Sequence, residues 1–346
     1  MSTTSPLSKR EAQVLQALVK VHIAIGDPVG SQTLCQRENL GVSSATIRNE
    51  VAILEEQGYI TRPHASAGSI PADKAYRLYV ESVLADDTNE LPSPARDVIR
   101  HQLVNVEHDI DAWGNVATAL LAQFVGYMGI ATFPKRKESR VRHIELVQVH
   151  DFVTMLIVVL EQARLRKHLV RLEDPVESVQ LETISQRIRA ELIGLNRREI
   201  ESKPMQLSPV EKDLVEATVL ILKDEDLASQ SERYVDGLPN LLIQPEFDDQ
   251  DMMRTIVQGV EDGSLIDAVL SEAPEGSVVE VVIGHEHVGD VLRPLSVVIC
   301  QYGIPGEISG AVGAVGPTRM EYTKTISGVK FISGVMSGLV KGAYTS

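Results

Sequence analysis

The stretch VSSATIRNEVAILEEQGYITRPHASAGSIPADKAYRLYV, residues 42–80, decides the fold of the N-terminal part of this chain. It begins with a segment whose apolar residues Ile47, Val51 and Leu54 recur at the spacing of one face of an α-helix. A serine pair before this segment is typical of an N-cap, and Gly58 is typical of a helix end. The pattern therefore predicts a helix, followed by two short β-like pieces around a loop rich in Pro, Gly and Ser and then by a further helix.

Two more helices are predicted upstream of this stretch. Apolar residues recur at helical spacing between Val14 and His22, and a second short helix, SQTLCQREN, has Leu34 and Cys35 on its inward side. Three short helices joined by tight turns are typical of a helix-turn-helix, and the hairpin-like loop that follows them is typical of a wing. The N-terminal residues are therefore predicted to fold as a winged helix-turn-helix.

The outward face of the third helix is small and polar. At about 100° per residue, the side opposite Ile47 carries Ser44, Ala45, Arg48, Asn49 and Ala52. Small residues let a helix enter the major groove, where Arg bridges guanine and Asn bridges adenine through two hydrogen bonds each. Backbone N–H groups at Ser43 and Ser44 also suit a phosphate. On spacing alone, DNA recognition competes with two other interpretations, a solvated surface helix and a protein–protein module.

The loop after the third helix adds candidates for DNA contact. Arg62, His64, Ser66 and Ser69 surround Gly68 in this loop. We expect the loop to reach the DNA backbone or the minor groove.

Charge is unevenly distributed along the 346 residues. The formal net charge of −15 by itself argues against a protein that coats nucleic acid or an anionic membrane. Residues 1–80, however, contain eight basic and seven acidic residues, a net of +1, so the remainder carries −16. The N-terminal segment is therefore a separate electrostatic unit that can approach a polyanion.

Beyond residue 80 the pattern indicates a larger α/β body. The polar segment ADDTNELPSP, residues 85–94, predicts a linker. Helical spacing follows it, with Trp113 as a core residue, and residues 141–172 form β-rich runs. Further strand patterns occur in SVVEVVIGHEH, PLSVVICQYGI and SGAVGAVGP, before a long C-terminal helix. Residues 196–245 are charged and less periodic, which predicts a helical insertion into a discontinuous α/β domain.

Cysteine content and hydropathy bear on the compartment. Cys35 and Cys300 lie in apolar surroundings, which predicts reduced core thiols without a disulfide. The longest apolar stretches are shorter than the ~18 residues of a membrane span, and the N-terminal residues lack the apolar region of a secretory signal. We therefore expect a cytoplasmic protein with no membrane partner.

Several motifs of this chain together resemble one protein family. SSATIRNEVAILEEQG with the following HASAGSIPADKAYR is similar to the signature SSATIRNEM-x-x-LE-x-x-G and HTSAGR-x-PT-x-x-GYR of the HrcA-type heat-inducible transcription repressors. GLPNLLIQPEF (237–247), VVIGHEH (281–287) and GAVGAVGPTRMEYTK (310–324) are similar to C-terminal motifs of that family, in the same order. The chain departs from the family pattern at Ser69, where Arg is usual, at Ala75, where Gly is usual, and at His287, where Asn is usual.

The resemblance implies a multidomain α+β architecture. It predicts a winged-helix DNA-binding domain over 1–84, a linker over 85–94, a discontinuous GAF-like domain over 95–195 and 246–346, and an inserted helical dimerisation domain over 196–245. It also implies a homodimer on an inverted-repeat DNA operator called CIRCE, repression of chaperone operons, and dependence on the GroEL chaperonin. The DNA-binding candidates are Ser43, Ser44, Ala45, Thr46, Arg48, Asn49, Arg62, His64, Ser66 and Gly68.

Two other motifs suggest different chemistry. His285 and His287 have the alternate spacing of one strand face, where a zinc site needs further ligands that the sequence does not supply nearby, so we predict solvated histidines at a strand end. GEISGAVGAVGP, residues 306–317, lacks the GxxxxGK[ST] pattern of a phosphate loop, so we predict a strand whose backbone is closely approached. No catalytic group or cofactor site is predicted. A ligand-responsive regulator, with an effector cavity in the GAF-like domain, stays open as an alternative.

Overall fold

The computed structural model describes residues 7–64, 67–86, 88–106, 109–136, 138–161, 165–227, 233–274 and 276–344. The chain forms two compact units. Unit 1 comprises the described residues of Met1–Phe133, Glu232–Pro305 and Gly310–Ser346, and unit 2 those of Pro134–Ser231 and Gly306–Ser309.

The helices and strands follow in chain order. The helices are α1 (Lys9–Ile25), α2 (Ser31–Arg37), α3 (Ser44–Glu56), α4 (Asp73–Leu84), α5 (Ser93–Asn105), α6 (Ile110–Val125), α7 (Ser178–Leu192), α8 (Arg197–Ser202), α9 (Pro209–Leu227), α10 (Leu238–Leu242), α11 (Gln250–Glu261), α12 (Ser264–Ser271) and α13 (Tyr322–Tyr344). The strands are β1 (Ile60–Thr61), β2 (Ile70–Pro71), β3 (Met128–Thr132), β4 (Lys135–Arg136), β5 (Val141–His150), β6 (Val153–Leu160), β7 (Leu165–Arg171), β8 (Arg233–Asp236), β9 (Val279–Ile283), β10 (Leu295–Ile304) and β11 (Ile308–Pro317).

Helices α1 to α4 and strands β1 and β2 form an N-terminal head within unit 1. Ser8 and Glu11 close a capping box on α1, and Gly26 ends that helix in the left-handed conformation that glycine adopts without strain. The inward faces of α1 and α3 pack on each other, and β1 pairs antiparallel with β2. The predicted helix-turn-helix with a short hairpin is therefore present.

One inward residue of the head was predicted wrongly. Leu34 is fully buried in α2, but its neighbour Cys35 is exposed, because a helix of only seven residues buries a narrow face. Cys300 is buried, as expected of a core thiol, and both cysteines are free.

The body of unit 1 is an antiparallel sheet with helices packed on it. Its strands lie in the order β8-β3-β11-β10-β9, and α13 packs on β10 while α6 packs on β3. Trp113 is buried, and its indole N–H donates to the carbonyl oxygen of Val106 at 2.9 Å. Trp113 is therefore a core residue of the α/β body, as predicted.

Glycines in β11 allow neighbouring groups to approach the strand closely. A Cβ on Gly313 would lie 2.7 Å from the carbonyl oxygen of Val298, and one on Gly310 would lie 2.6 Å from the ring of Tyr302. The glycine-rich segment is thus a strand with close backbone approach, as predicted.

Unit 2 is a three-stranded antiparallel sheet with helices on one face. Strands β5, β6 and β7 pair in sequence order, and α7 and α9 pack against them. Its core contains Leu156 and Val158 of the central strand together with Leu181 and Leu214 of these helices. Unit 2 is therefore mixed α/β: its strands lie in the β-rich segment predicted at 141–172, and α8 and α9 lie in the range predicted as a helical insertion.

The limits of the compact units differ from the predicted domain limits. The predicted insertion covers 196–245, but β8 within that range pairs with β3 in the unit 1 sheet. Unit 2 instead extends back to Pro134, because β5 to β7 share their core with α7 and α9. Residues 85–92 of the predicted linker, 85–94, lie between α4 and α5, whereas 93 and 94 begin α5; both helices belong to unit 1.

Candidate nucleic-acid interface

The N-terminus of α3 is fixed by a serine cap. Ser43 has extended backbone angles, and its hydroxyl accepts the N–H of Thr46 at 3.2 Å. The two side-chain oxygens of Ser43 and Thr46 also lie 3.0 Å apart. Both side chains are thereby oriented within the cap, and the remaining free N–H groups at the start of a helix suit a phosphate.

The face of α3 opposite its buried side is solvent-exposed. Ile47, Val51 and Leu54 are buried against the other helices of the head, so the predicted inward face is confirmed. Ala45, Arg48, Asn49 and Ala52 are exposed, and Ser44 and Thr46 are half-buried at the edges. Within the described part of the chain, the side chains of Arg48 and Asn49 make no hydrogen bond or ion pair. Their polar groups are therefore available to a ligand.

The wing candidates are in less uniform surroundings. Arg62 is half-buried, and its Nε lies 3.1 Å from a carboxylate oxygen of Glu55 at the end of α3. His64 is exposed, and its carbonyl accepts the N–H of Ala67 at 2.9 Å. Ser66 lies outside the described residues. The ion pair with Glu55 offsets the positive charge that Arg62 would bring to a DNA contact.

Gly68 and Ser69 anchor the base of the wing. The N–H and carbonyl of Ser69 each pair with Val29 at 2.9 Å, and Ser69 is buried. A Cβ on Gly68 would lie 2.6 Å from the carbonyl carbon and oxygen of Pro28. The structure therefore gives Gly68 a packing role, and it buries the residue that stands where the family usually has Arg.

We expect Gly68→Ala to destabilise the head by about 1–3 kcal/mol, because the added methyl group meets backbone that has no free rotation to relieve the overlap. Hydrogen exchange at the amides of Val29 and Ser69 measures the effect directly. As a control, Gly289→Ala changes an exposed glycine with open space around it, and should stay within about 0.5 kcal/mol. Equal protection of the two amides in Gly68→Ala and wild type would contradict the packing role.

The two histidines of IGHEH lie in different surroundings. His285 is exposed, and its Nδ1 lies 2.8 Å from Asp73. His287, contrary to the prediction of a solvated residue, is buried, with Nδ1 2.8 Å from Glu272 and Nε2 3.1 Å from the carbonyl oxygen of Leu295. Strand β9 ends at Ile283, before either histidine, so the alternation expected of a strand does not apply. Among the described residues, no cluster of three or more potential metal ligands occurs.

Two family models match this chain. The model described as the HrcA protein C terminal domain matches residues 114–326, and a DeoR-like helix-turn-helix domain matches residues 32–72. The chain is 38% identical over 338 residues to the heat-inducible transcription repressor HrcA of Dehalococcoides mccartyi, covering 98% of this chain and 97% of that one. The chain belongs to the HrcA family of heat-inducible transcription repressors.

Further HrcA relatives extend the same similarity. The repressor of Herpetosiphon aurantiacus is 34% identical, over 98% of this chain and 96% of its own. That of Thermomicrobium roseum is 31% identical, over 96% and 95%. A crystal structure of a hypothetical protein at 2.2 Å resolution matches with a TM-score of 0.60 and 21% identity, over 97% of this chain and 99% of that chain. This last likeness concerns the fold alone.

The HrcA family resemblance inferred from the motifs is thus confirmed, together with a helix-turn-helix that includes α3. The segment of this chain that the helix-turn-helix model matches, residues 32–72, contains all ten predicted DNA-binding residues. In the described parts of the chain, none of the helices has both the length and the hydropathy to cross a bilayer.

Proposed function

We propose that this HrcA-family chain represses chaperone operons as a cytoplasmic homodimer bound to an inverted-repeat CIRCE operator, with activity that depends on the GroEL chaperonin. The proposed contact residues are Ser43, Ser44, Ala45, Thr46, Arg48, Asn49, Arg62, His64 and Ser66, with Gly68 shaping the wing. In each protomer α3 enters the major groove, so that the symmetry of the dimer matches that of the operator.

The observation that carries this proposal is the exposed face of α3. It combines small residues that permit close approach with Arg48 and Asn49, whose polar groups are unpaired among the described residues. These are the side chains that discriminate guanine and adenine in the major groove. The serine-capped N-terminus of the same helix supplies a phosphate contact that fixes its register.

A homodimer is supported by an uncovered apolar face in unit 2. Val147, Met155 and Leu169 are cross-strand partners on the side of the sheet away from the buried residues. Leu169 is 60% exposed and Val147 43% exposed. A second copy of this chain would bury this face by symmetric packing, because apolar patches of this kind mark interaction sites.

The proposed dimer contact lies N-terminal to the predicted insertion. Residues 196–245 supply α8 and α9, whereas the uncovered face belongs to β5–β7 within 141–171. We therefore propose the sheet as the contact surface, with the helices of the insertion behind it. The GAF-like assignment of residues 95–195 and 246–346 stays part of the proposal.

Charge distribution supports a binder that depends on base contacts. The segment 1–80 has a net charge of +1 and the rest of the chain −16. Bulk electrostatic attraction supplies most of non-specific DNA affinity. We therefore propose that binding to unrelated duplex is weak at physiological salt.

We expect Glu55→Gln to raise operator affinity a few-fold at low salt, because it releases Arg62 to a phosphate. The slope of log affinity against log salt concentration should become steeper by about one, which corresponds to one more counterion released. Gel shifts at several salt concentrations measure both effects. Glu56→Gln, on the same helix, is the matched control: it makes the same charge change, and Glu56 has no ion pair with the described residues. Equal effects of the two variants would show that the ion pair does not restrain Arg62.

Heat control is proposed to operate through folding. A repressor whose active fold depends on GroEL loses active population when other substrates occupy the chaperonin, by mass action. The family resemblance supports this step.

One cavity in unit 1 favours a second candidate, a ligand-responsive regulator. It has a volume of about 540 Å³ and lies between α5 and α13, with Leu91, Phe331 and Val335 on its apolar side and Arg100 at its rim. This volume falls within the range of small-molecule sites. A metabolite that raises the unfolding temperature and changes operator affinity would support this candidate.

The test of the proposed function is a gel shift with an inverted-repeat operator and a scrambled duplex, with and without chaperonin. We expect selective binding of the repeat, with a larger bound fraction when GroEL and ATP are present. Equal binding of both duplexes would refute the repressor mechanism, and an unchanged bound fraction would refute the chaperonin dependence.

A further inference from the structure

Helix α4 of the head is held by an arginine fork to the end of β9. The Nε of Arg77 donates to one carboxylate oxygen of Glu286 at 2.7 Å, and its Nη2 donates to the other. Nη2 also donates to the carbonyl oxygen of Val281 at 2.5 Å. A bidentate pair of this kind fixes the direction of both side chains as well as their separation.

The first turn of α4 makes a second contact with the same motif. Asp73 accepts the backbone N–H of His285 at 2.8 Å and lies 2.8 Å from its Nδ1. Gly284, between β9 and His285, has φ +54°, and a Cβ there would overlap the carboxylate of Asp73. Glycine at this position therefore permits the close approach.

A third contact is aromatic and buried. The Tyr76 hydroxyl lies within hydrogen-bond distance of Nδ1 of His22, at 2.9 Å, and the centre of the Tyr76 ring lies 6.1 Å from that of Tyr322. Burial and the nearby Arg319 lower the pKa of His22, which favours the neutral imidazole. The Tyr322 hydroxyl donates to the carbonyl of Thr318 and lies 2.9 Å from the Ser296 hydroxyl.

Arg319 adds a fourth contact, at the end of α1. Its guanidinium pairs with Glu246 and donates to Gln244 at 3.2 Å, and it lies within van der Waals distance of a Cβ placed on Gly26. The motifs QPEF, IGHEH and PTRMEY, which the DNA contact does not use, thus converge on α1 and α4. A partly exposed ion pair such as Arg77–Glu286 contributes little to stability by itself. Together the four contacts hold α1 and α4 of the head in one orientation against the body of unit 1.

We propose that these contacts form a seat, defined as Asp73, Tyr76 and Arg77 of the head with His285, Glu286 and Tyr322 of the body, which fixes the orientation of α3 and thereby selects the spacing between operator half-sites. The seat residues are positioning residues that act through α3. This inference rests on the proposed function, because it requires two heads on one inverted repeat.

The physical reason is the effective concentration of the second head. When one head is bound, the other gains affinity in proportion to the fraction of time it spends over its own half-site. When the seat holds the heads, the second head spends most of its time at the position that matches one half-site spacing. When the heads are connected only through residues 85–92, that time is divided among many spacings. Loosening the seat therefore lowers affinity at the native spacing and flattens the dependence on spacing.

The experiment compares full-length Glu286→Gln and Arg77→Lys with wild type on three DNAs: the inverted repeat, the same repeat with half a helical turn inserted between half-sites, and a single half-site. Both variants weaken the fork, and Glu286→Gln also removes a negative charge, which electrostatics alone would turn into tighter binding. We expect roughly tenfold weaker binding to the native repeat, less than about twofold change on the half-site, and a smaller penalty for the insertion.

The matched control is Glu216→Gln, which removes the same charge from an exposed pair with Lys212 on α9, outside the seat and the connecting segment, and should leave the spacing dependence unchanged. Unchanged binding to all three DNAs in both variants would overturn the seat. An equal loss on the half-site and the repeat would also overturn it, since that indicates a damaged head. Wild-type protein that does not distinguish the repeat from scrambled DNA would instead refute the proposed function.

Discussion

Leu169→Asp is expected to convert the dimer to a monomer and to weaken operator binding at least about 100-fold, because a single head then loses the effective concentration that its partner provides. Leu169 lies on β7 with Met155 and Val147 beside it, and it is 60% exposed. A carboxylate there leaves the core of unit 2 intact. In a symmetric interface each of the two protomers would bury one such carboxylate against the apolar face of the other, without a partner for its charge.

Sedimentation equilibrium and gel shifts measure the two effects. Val179→Asp is the matched control, since it also replaces an exposed aliphatic residue with aspartate, at a 78% exposed position on α7 of the same unit. The control should stay dimeric and bind normally, and Leu169→Asp should keep wild-type affinity for a single half-site. If Leu169→Asp sediments as a dimer, the uncovered face is not the dimer contact.

Arg48→Ala should weaken operator binding by about 1–3 kcal/mol, roughly fivefold to 150-fold, and relax discrimination at one base position. Arg48 is exposed and has no partner among the described residues, so its loss should leave the thermal stability of the free protein unchanged. The expected penalty arises from a lost bidentate contact to guanine.

The control for Arg48 is Arg37→Ala, at the exposed end of α2, which removes the same charge from the head. It should weaken all duplexes uniformly and modestly. Binding to operators with each base pair substituted in turn separates the two cases. An unchanged base preference in Arg48→Ala would remove this residue from the base-reading set.

Periodicity and capping signals predicted the helices of the head well. Ile47, Val51 and Leu54 recur at a spacing that only a helix places on one side, and Ser43 caps that helix as a serine at this position should. The same logic located Trp113 in the core and the glycine-rich segment in a strand. Each of these conclusions depends on residues within a few turns of one another.

Predictions that depended on neighbours distant in sequence were less accurate. The burial of His287 depends on Glu272 and Leu295, which no spacing rule connects to it. Cys35 was assigned to the core by its apolar surroundings, yet the seven-residue helix that carries it turns it outward.

By itself, the sequence determined the class of the head, the outward face of α3 and the family of the chain, because these depend on local periodicity and on motifs that stand in order. Only the tertiary structure decided the limits of the compact units, the uncovered face of β5–β7 and the seat between α4 and the end of β9. Arg77 and Glu286 are 209 residues apart in the chain. Such pairs meet because the sheet and helices between them pack in one arrangement, and that arrangement is set by the burial of apolar surface over the whole unit.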